Sequence, residues 1–320
     1  MTSISWKRSA RLGSALLLVA LLVLALRRLD LARLALELRA VRLPWIVAAV
    51  AFFAAVLPLW ALQWRILAPP AAKNRFPVML GVVAVSSSLL NTTVFLMGEA
   101  AAVFLLVTRV GLERSAALSV FAMDQLLVGL AKLALIAVAA RALVLPGWMS
   151  AGVTALAAGV LLLTAGTLFV AWKHEAMAVH AGRLLPPRGA RALAGAGHAL
   201  APLRSVRRSS GALALALAKM LVEVVAIVCV QHAFGAALPP ASAVVVLAAL
   251  GLATAVPVVP GHVGTYEGVV VLVYAGFGVP AEQALAMALV QHACQFTALA
   301  LPGYRWIAAA ATPSNASASR

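Results

Sequence analysis

A chain of 320 residues that is 64% hydrophobic and 11% charged, with a mean hydropathy of +1.04, cannot hide its apolar surface in a water-soluble domain. Lipid must be the solvent for most of it. The net charge of +16 invites a nucleic-acid reading, but the basic residues lie in short blocks between apolar runs, as in loops facing anionic lipid, so nucleic acid is not an expected partner.

In chain order, residues 12–26 form an apolar run with Lys7, Arg8 and Arg11 before it and Arg27 and Arg28 after it. No small-residue cleavage site follows, so the run reads as a retained first helix and not as a signal peptide. Residues 29–43 alternate apolar side chains with Asp30, Arg33, Glu37, Arg39 and Arg42, the pattern of an amphipathic helix at the interface. Further spans are predicted at 45–62, 116–140, 151–172, 212–233 and 281–301; most reach the roughly 20 residues that a ~30 Å hydrocarbon core requires. Pro44 and Pro280 sit where a first-turn proline suits a helix start.

Two apolar regions do not fit simple crossings. Residues 78–108 number 31, whereas two crossings need about 40. This stretch is broken by Ser86, Ser87 and Ser88, then by Asn91, Thr92 and Thr93, with Gly98 and Glu99 beyond. Arg65, Lys73 and Arg75 precede it and Arg109 and Arg114 follow, so a hairpin that enters and leaves on one side satisfies both length and charge. Residues 241–277 pose the same problem, with a break at Pro257, Pro260, Gly261 and Gly264. Irregular backbone at that depth requires protein cover or a wet cavity.

With the N-terminus cytoplasmic, 17 of the 25 Lys and Arg residues fall on the cytoplasmic side and 6 outside, while Lys132 and Lys219 lie within spans. That excess places both termini in the cytoplasm of a multi-pass inner-membrane protein. The first hairpin then opens from the cytoplasm and the second from outside. Residues 173–210 are the long polar stretch, a basic cytoplasmic linker between an N-terminal half (1–172) and a C-terminal half (211–311). Residues 312–320 form a tail expected to be disordered. Cys229 and Cys294 lie inside apolar segments and read as small buried hydrophobes.

The halves echo each other at an offset of 167 positions. Gly111 pairs with Gly278, Ala117 and Leu118 with Ala284 and Leu285, and Asp124 and Gln125 with Gln291 and His292; Glu99 and Glu267 fall one residue out of register. Repeated units with interrupted helices and polar groups at membrane depth are how many transporters are built.

Charges inside the hydrocarbon cost about 2.5–3.5 kcal/mol each on insertion scales and mark a working interior by default. Here they are Glu99, Asp124, Lys132, Lys219, Glu223 and Glu267, accompanied by Gln125, Gln291 and His292. Lys219 and Glu223 are four apart on one helical face and neutralise each other in the simplest reading. Asp124 and Lys132 are about two turns apart and point toward a shared cavity or toward separate partners. Glu99 and Glu267 each follow a glycine-containing break and open a short helix, where free N–H groups and the positive dipole end point inward. Either each carboxylate caps its own helix, or the helix ends meet an anionic headgroup and the glutamates bind a cation, proton or amine. Pro257, Pro260, Gly261 and Gly264 hold the second break open, and Asn91 does likewise in the first hairpin. His262 and His292 are either packing residues or a proton relay. No nucleophile elbow, zinc-protease, P-loop or dinucleotide-binding signature occurs, and no acidic pair has metal-ligand spacing, so neither catalysis nor a cofactor or metal is expected.

At these residues the chain resembles the flippase-like transmembrane region of lysylphosphatidylglycerol synthases. Asn91, Gly98-Glu99, the stretch Arg109, Gly111, Arg114, Ser115, and above all Pro257, Pro260, Gly261, Gly264 and Glu267 match the pattern of that family. Val94 and Phe95 stand where its first proline-glycine turn belongs, Ala102 replaces an arginine, and Asp124-Gln125 replaces Glu-Arg. The lost arginines weaken the case for a phosphate-bearing cargo. The chain stops 18 residues after Pro302, without the soluble aminoacyl-transfer domain of the synthases, so the resemblance implies translocation without synthesis.

The expected fold is all-α and integral to the membrane: about eight spans including two re-entrant hairpins (78–108 and 241–277), halves in inverted arrangement, and one interfacial helix. The expected function is a lipid flippase or transporter acting on a phospholipid, glycolipid or hopanoid-type amphipath. Its path is lined by Asn91, Gly98, Glu99, Asp124, Gln125, Pro257, Pro260, Gly261, Gly264, Glu267, Gln291 and His292. The expected partners are membrane lipids, with a lipid-pathway enzyme as a further candidate. Two other classes stay open: a scaffold that binds such an enzyme through the basic linker, and an intramembrane lipid-modifying transferase.

Overall fold

The computed structural model describes residues 30–69, 74–93, 97–142, 206–254 and 259–311, with short helical pieces between residues 153 and 166. The predicted first helix (12–26), nearly all of the linker and the tail lie outside the described residues, as do Val94, Phe95 and Pro257.

The described residues form helices joined by turns: α1 (Leu31–Arg39), α2 (Leu43–Leu67), α3 (Phe76–Thr92), α4 (Met97–Leu105) running into a π-helical turn (Leu106–Val110), α5 (Arg114–Ala142), α6 (Val206–Ala233), α7 (Pro240–Ala253), a 3-10 turn (Pro260–His262), α8 (Thr265–Gly276), α9 (Ala281–Leu299) and α10 (Leu301–Ala311). Among the described residues, four helical stretches are long and apolar enough to cross a membrane: Leu43–Leu67, Arg114–Val138, Arg207–Ala233 and Ala281–Ala308. They coincide with four of the predicted spans. The last continues past its predicted end, bending at Ala300 just before Pro302, whose ring offers no N–H to the helix ladder.

The amphipathic segment forms α1, capped by Asp30, whose side chain accepts from the N–H groups of Ala32 and Arg33 at 3.0 and 3.1 Å. None of its residues is buried, and Leu31, Leu36 and Leu38 remain exposed, as befits a helix resting on a surface.

The arms α3, α4, α7 and α8 contain 17, 9, 14 and 12 residues, so each is shorter than a crossing. α3 packs on α4, and α7 on α8. In the first pair a Cβ on Gly98 would come within 2.6 Å of the Leu90 backbone nitrogen, so only glycine permits this approach.

The helix order is duplicated. In each half a long helix (α2, α6) is followed by two short arms, a left-handed glycine and another long helix (α5, α9). Gly111 has φ 83° and Gly278 has φ 77°, and the next helix begins three residues later in both cases. The packing partners duplicate too: α2 meets α9 as α6 meets α5, α3 meets α9 as α7 meets α5, and α2 packs most extensively on its own counterpart α6. Exchanging the halves therefore preserves these contacts. α1 and α10 stand outside this scheme. α10 lies along α3, where the Gly303 N–H donates to Ser88 Oγ at 3.0 Å and Thr92 Oγ1 meets the Tyr304 hydroxyl at 2.6 Å.

Candidate functional site

Glu99 lies on the first described turn of α4, and Glu267 is the third residue of α8. At the third position of a helix a carboxylate turns back toward the free N–H groups of the first turn. Glu267 Oε2 accepts from the Gly264 N–H at 2.7 Å, while its Oε1 lies 2.7 Å from His292 Nδ1. The two side chains retain 14% and 15% exposure, covered but reachable. Among the described residues Glu99 is half-buried and forms no ion pair.

The His292 ring stacks on Tyr266 with centroids 4.2 Å apart and planes 15° from parallel. The Tyr266 hydroxyl accepts from Gln291 Nε2 at 2.7 Å and donates to Gln295 Oε1 at 2.9 Å. Gln291 and Gln295 are one turn apart on α9, so they grip the phenol from a single helix face. The Gln291 carbonyl oxygen is fully buried and has no partner among the described residues. Sequence reading found Gln291 and His292 but missed Tyr266 and Gln295, although the i, i+4 spacing of the two glutamines was a usable signal.

Chain conformation at the second break is unusual. Gly261, His262 and Gly264 all have positive φ (65°, 55° and 83°), and for histidine that is a strained conformation. Pro260 opens the 3-10 turn, and His262 lies within electrostatic reach of His292. This turn packs on α3: a Cβ on Gly261 would sit 3.2 Å from the carbonyl oxygen of Asn91. The Asn91 amide donates to the Ser87 carbonyl at 2.8 Å, so its side chain is tied to its own helix. Gly261 and Asn91, the residues singled out in the two breaks, thus touch each other.

A second polar cluster lies elsewhere in the bundle. Asp124 Oδ1 forms a buried 3.4 Å ion pair with Lys219 Nζ, and Asp124 Oδ2 accepts from Trp60 Nε1 at 3.1 Å. Lys219 Nζ also lies 5.2 Å from the Trp60 ring centroid. The ion-pair partner of Lys219 is thus Asp124 on α5, a contact that the i, i+4 spacing to Glu223 did not reveal. The Lys132 side chain runs across Gly251, where a Cβ would be 3.1 Å from its Nζ. Asp124 was expected to line an open path, but its carboxylate is engaged on both oxygens. Its neighbour Gln125 is exposed. Gln63, overlooked in the sequence, is fully buried on α2 with neither amide atom partnered among the described residues.

A profile of the lysylphosphatidylglycerol synthase transmembrane region matches residues 11–303. The chain belongs to that family. Comparison with proteins of curated function and with solved structures gave no match. Membership makes this a multi-pass membrane protein, in agreement with its four long apolar helices. Ala102 is 1% exposed in the core of the bundle.

Proposed function

We propose that this member of the family is a lipid flippase of the cytoplasmic membrane, with both termini in the cytoplasm. α3–α4 and α7–α8 are re-entrant hairpins that enter from opposite sides, the two halves being inverted about a pseudo-axis between α2 and α6. A polar headgroup enters between the hairpin breaks while its tails stay in lipid. Glu99, Gln125, Glu267, Gln291 and His292 contact the headgroup or its counter-charge, and the Asp124–Lys219 pair holds the surrounding helices. The cargo is an amphipath of phospholipid, glycolipid or hopanoid type. In this reading the chain carries lipid without modifying it and is not an enzyme.

One observation carries the reading: the glycine of the second break rests against the end of the first arm of the other hairpin. Each arm is too short to cross alone, so two breaks in mutual contact are suited to alternate exposure around one site. Short arms that merely packed on one another for stability would have no reason to bring their interrupted ends together.

The test is a reconstitution assay. Purified protein in liposomes should raise the rate at which labelled lipid moves between leaflets, and Glu99→Gln combined with Glu267→Gln should abolish the gain. Unchanged movement in the double variant would remove those glutamates from the path. A wild-type protein inert toward phospholipid, glycolipid and hopanoid probes alike would overturn the flippase reading.

A further inference from the structure

We propose that Glu267 and His292 form a proton-binding dyad that couples lipid movement to a proton gradient. This inference rests on the flippase reading. The dyad joins α8, which follows the second break, to α9. Both Glu267 oxygens are occupied, one by the Gly264 N–H and one by His292 Nδ1, each at 2.7 Å. With Nδ1 donating to the carboxylate, the remaining ring nitrogen, Nε2, is where a further proton binds. One proton arriving from water at Nε2 takes the pair from a net charge of −1 to zero; the same proton leaves from Nε2 when the site faces the other side. An unbalanced charge at membrane depth costs more than a balanced ion pair, so protonation changes which exposure the site favours.

The surroundings hold the ring in register and keep the charge balance simple. Tyr266 covers one face of the imidazole, and Gln291 and Gln295 fix its hydroxyl, so His292 cannot swing away from Glu267 without losing its stack on a ring held in place. The titratable groups near the dyad are His262 from the 3-10 turn, Tyr266 and Tyr274 on α8, and Glu223 of α6, whose field reaches Tyr266. α7, packed against α8, carries no ionisable side chain. His262 belongs to the strained turn whose Gly261 rests against Asn91.

A helix-capping glutamate with a packing histidine would share this geometry without coupling, and two measurements separate the cases. In proteoliposomes carrying an internal pH dye and a labelled lipid, a gradient of about one pH unit should sustain a lipid asymmetry of about tenfold, as one-for-one exchange requires. Lipid entry should be matched by proton flux, and both should vanish in His292→Gln. Lipid movement that proceeds without proton flux, or reaches no asymmetry under the gradient, overturns the coupling and leaves the flippase reading standing. The second readout needs no transport: nitrogen NMR of the full chain in nanodiscs should show the His292 Nδ1 proton in a strong hydrogen bond in the wild type, and that signature should be lost in Glu267→Gln. Identical ring-nitrogen spectra in the two proteins overturn the dyad, even for a protein that moves no lipid.

Discussion

Asp124 on α5 and Lys219 on α6 face each other at 3.4 Å with 2% and 5% of their side chains exposed, and Trp60 of α2 completes the contact. Three helices of the bundle therefore converge on one compensated charge. Removing a single partner from a buried pair costs about 3–5 kcal/mol, because the other charge is stranded, whereas replacing both by apolar side chains is often nearly neutral. Lys219→Met should accordingly lower the thermal midpoint in detergent micelles strongly, and Lys219→Met with Asp124→Leu should recover most of the loss. A double variant no more stable than the single one would refute the pairing.

Gly261→Ala should separate folding from function. Its φ of 65° costs an alanine about 1–2 kcal/mol, and the added Cβ would press on the Asn91 carbonyl at 3.2 Å. The expected result is a protein that still folds, with a midpoint only slightly lowered, but with lipid movement reduced in liposomes. Equal activity in the variant would show that the contact between breaks is incidental.

The first hairpin depends on Gly98. A Cβ there would meet both the backbone and the side chain of Leu90 at 2.6 Å, a clash that rotamer change cannot relieve because one of the atoms is backbone. Gly98→Val should therefore give poor yield of monodisperse protein. By contrast, Gly276→Ala, where a Cβ would have open space, should behave as wild type in size-exclusion chromatography.

At the membrane surface, Asp30→Ala removes two hydrogen bonds from the start of α1 and should cost about 1 kcal/mol of local stability. Hydrogen exchange should accelerate across Leu31–Arg39 and stay unchanged in α2 and α6. Acceleration throughout the bundle would mean that α1 contributes to the core.

Sequence periodicity and composition were enough to place α2, α5, α6 and α9, because a 20-residue apolar run has few alternatives in lipid. The repeat was also legible: Gly111 and Gly278 are spaced alike from the helices they precede, and both are left-handed. Side-chain partners were legible only where they are local. Gly264 and Glu267 are three residues apart, and their bond follows from helix-start geometry. The partners of Lys219, Tyr266 and Ser88 lie tens to hundreds of positions away in the chain, so they depend on how helices rotate about their axes. Hydropathy says little about that rotation when every face is apolar, and i, i+4 spacing accordingly did not reveal Asp124 as a partner of Lys219.

The clasp between α10 and α3 has a practical corollary. Ser88 and Thr92 bind Gly303 and Tyr304, and a Cβ on Gly81 would lie 2.8 Å from the Trp306 ring. The final helix is thus a handle fastened to one arm of the first hairpin. A spin label mounted on its exposed face, beside Tyr304 or Ile307, would therefore register each displacement of that arm.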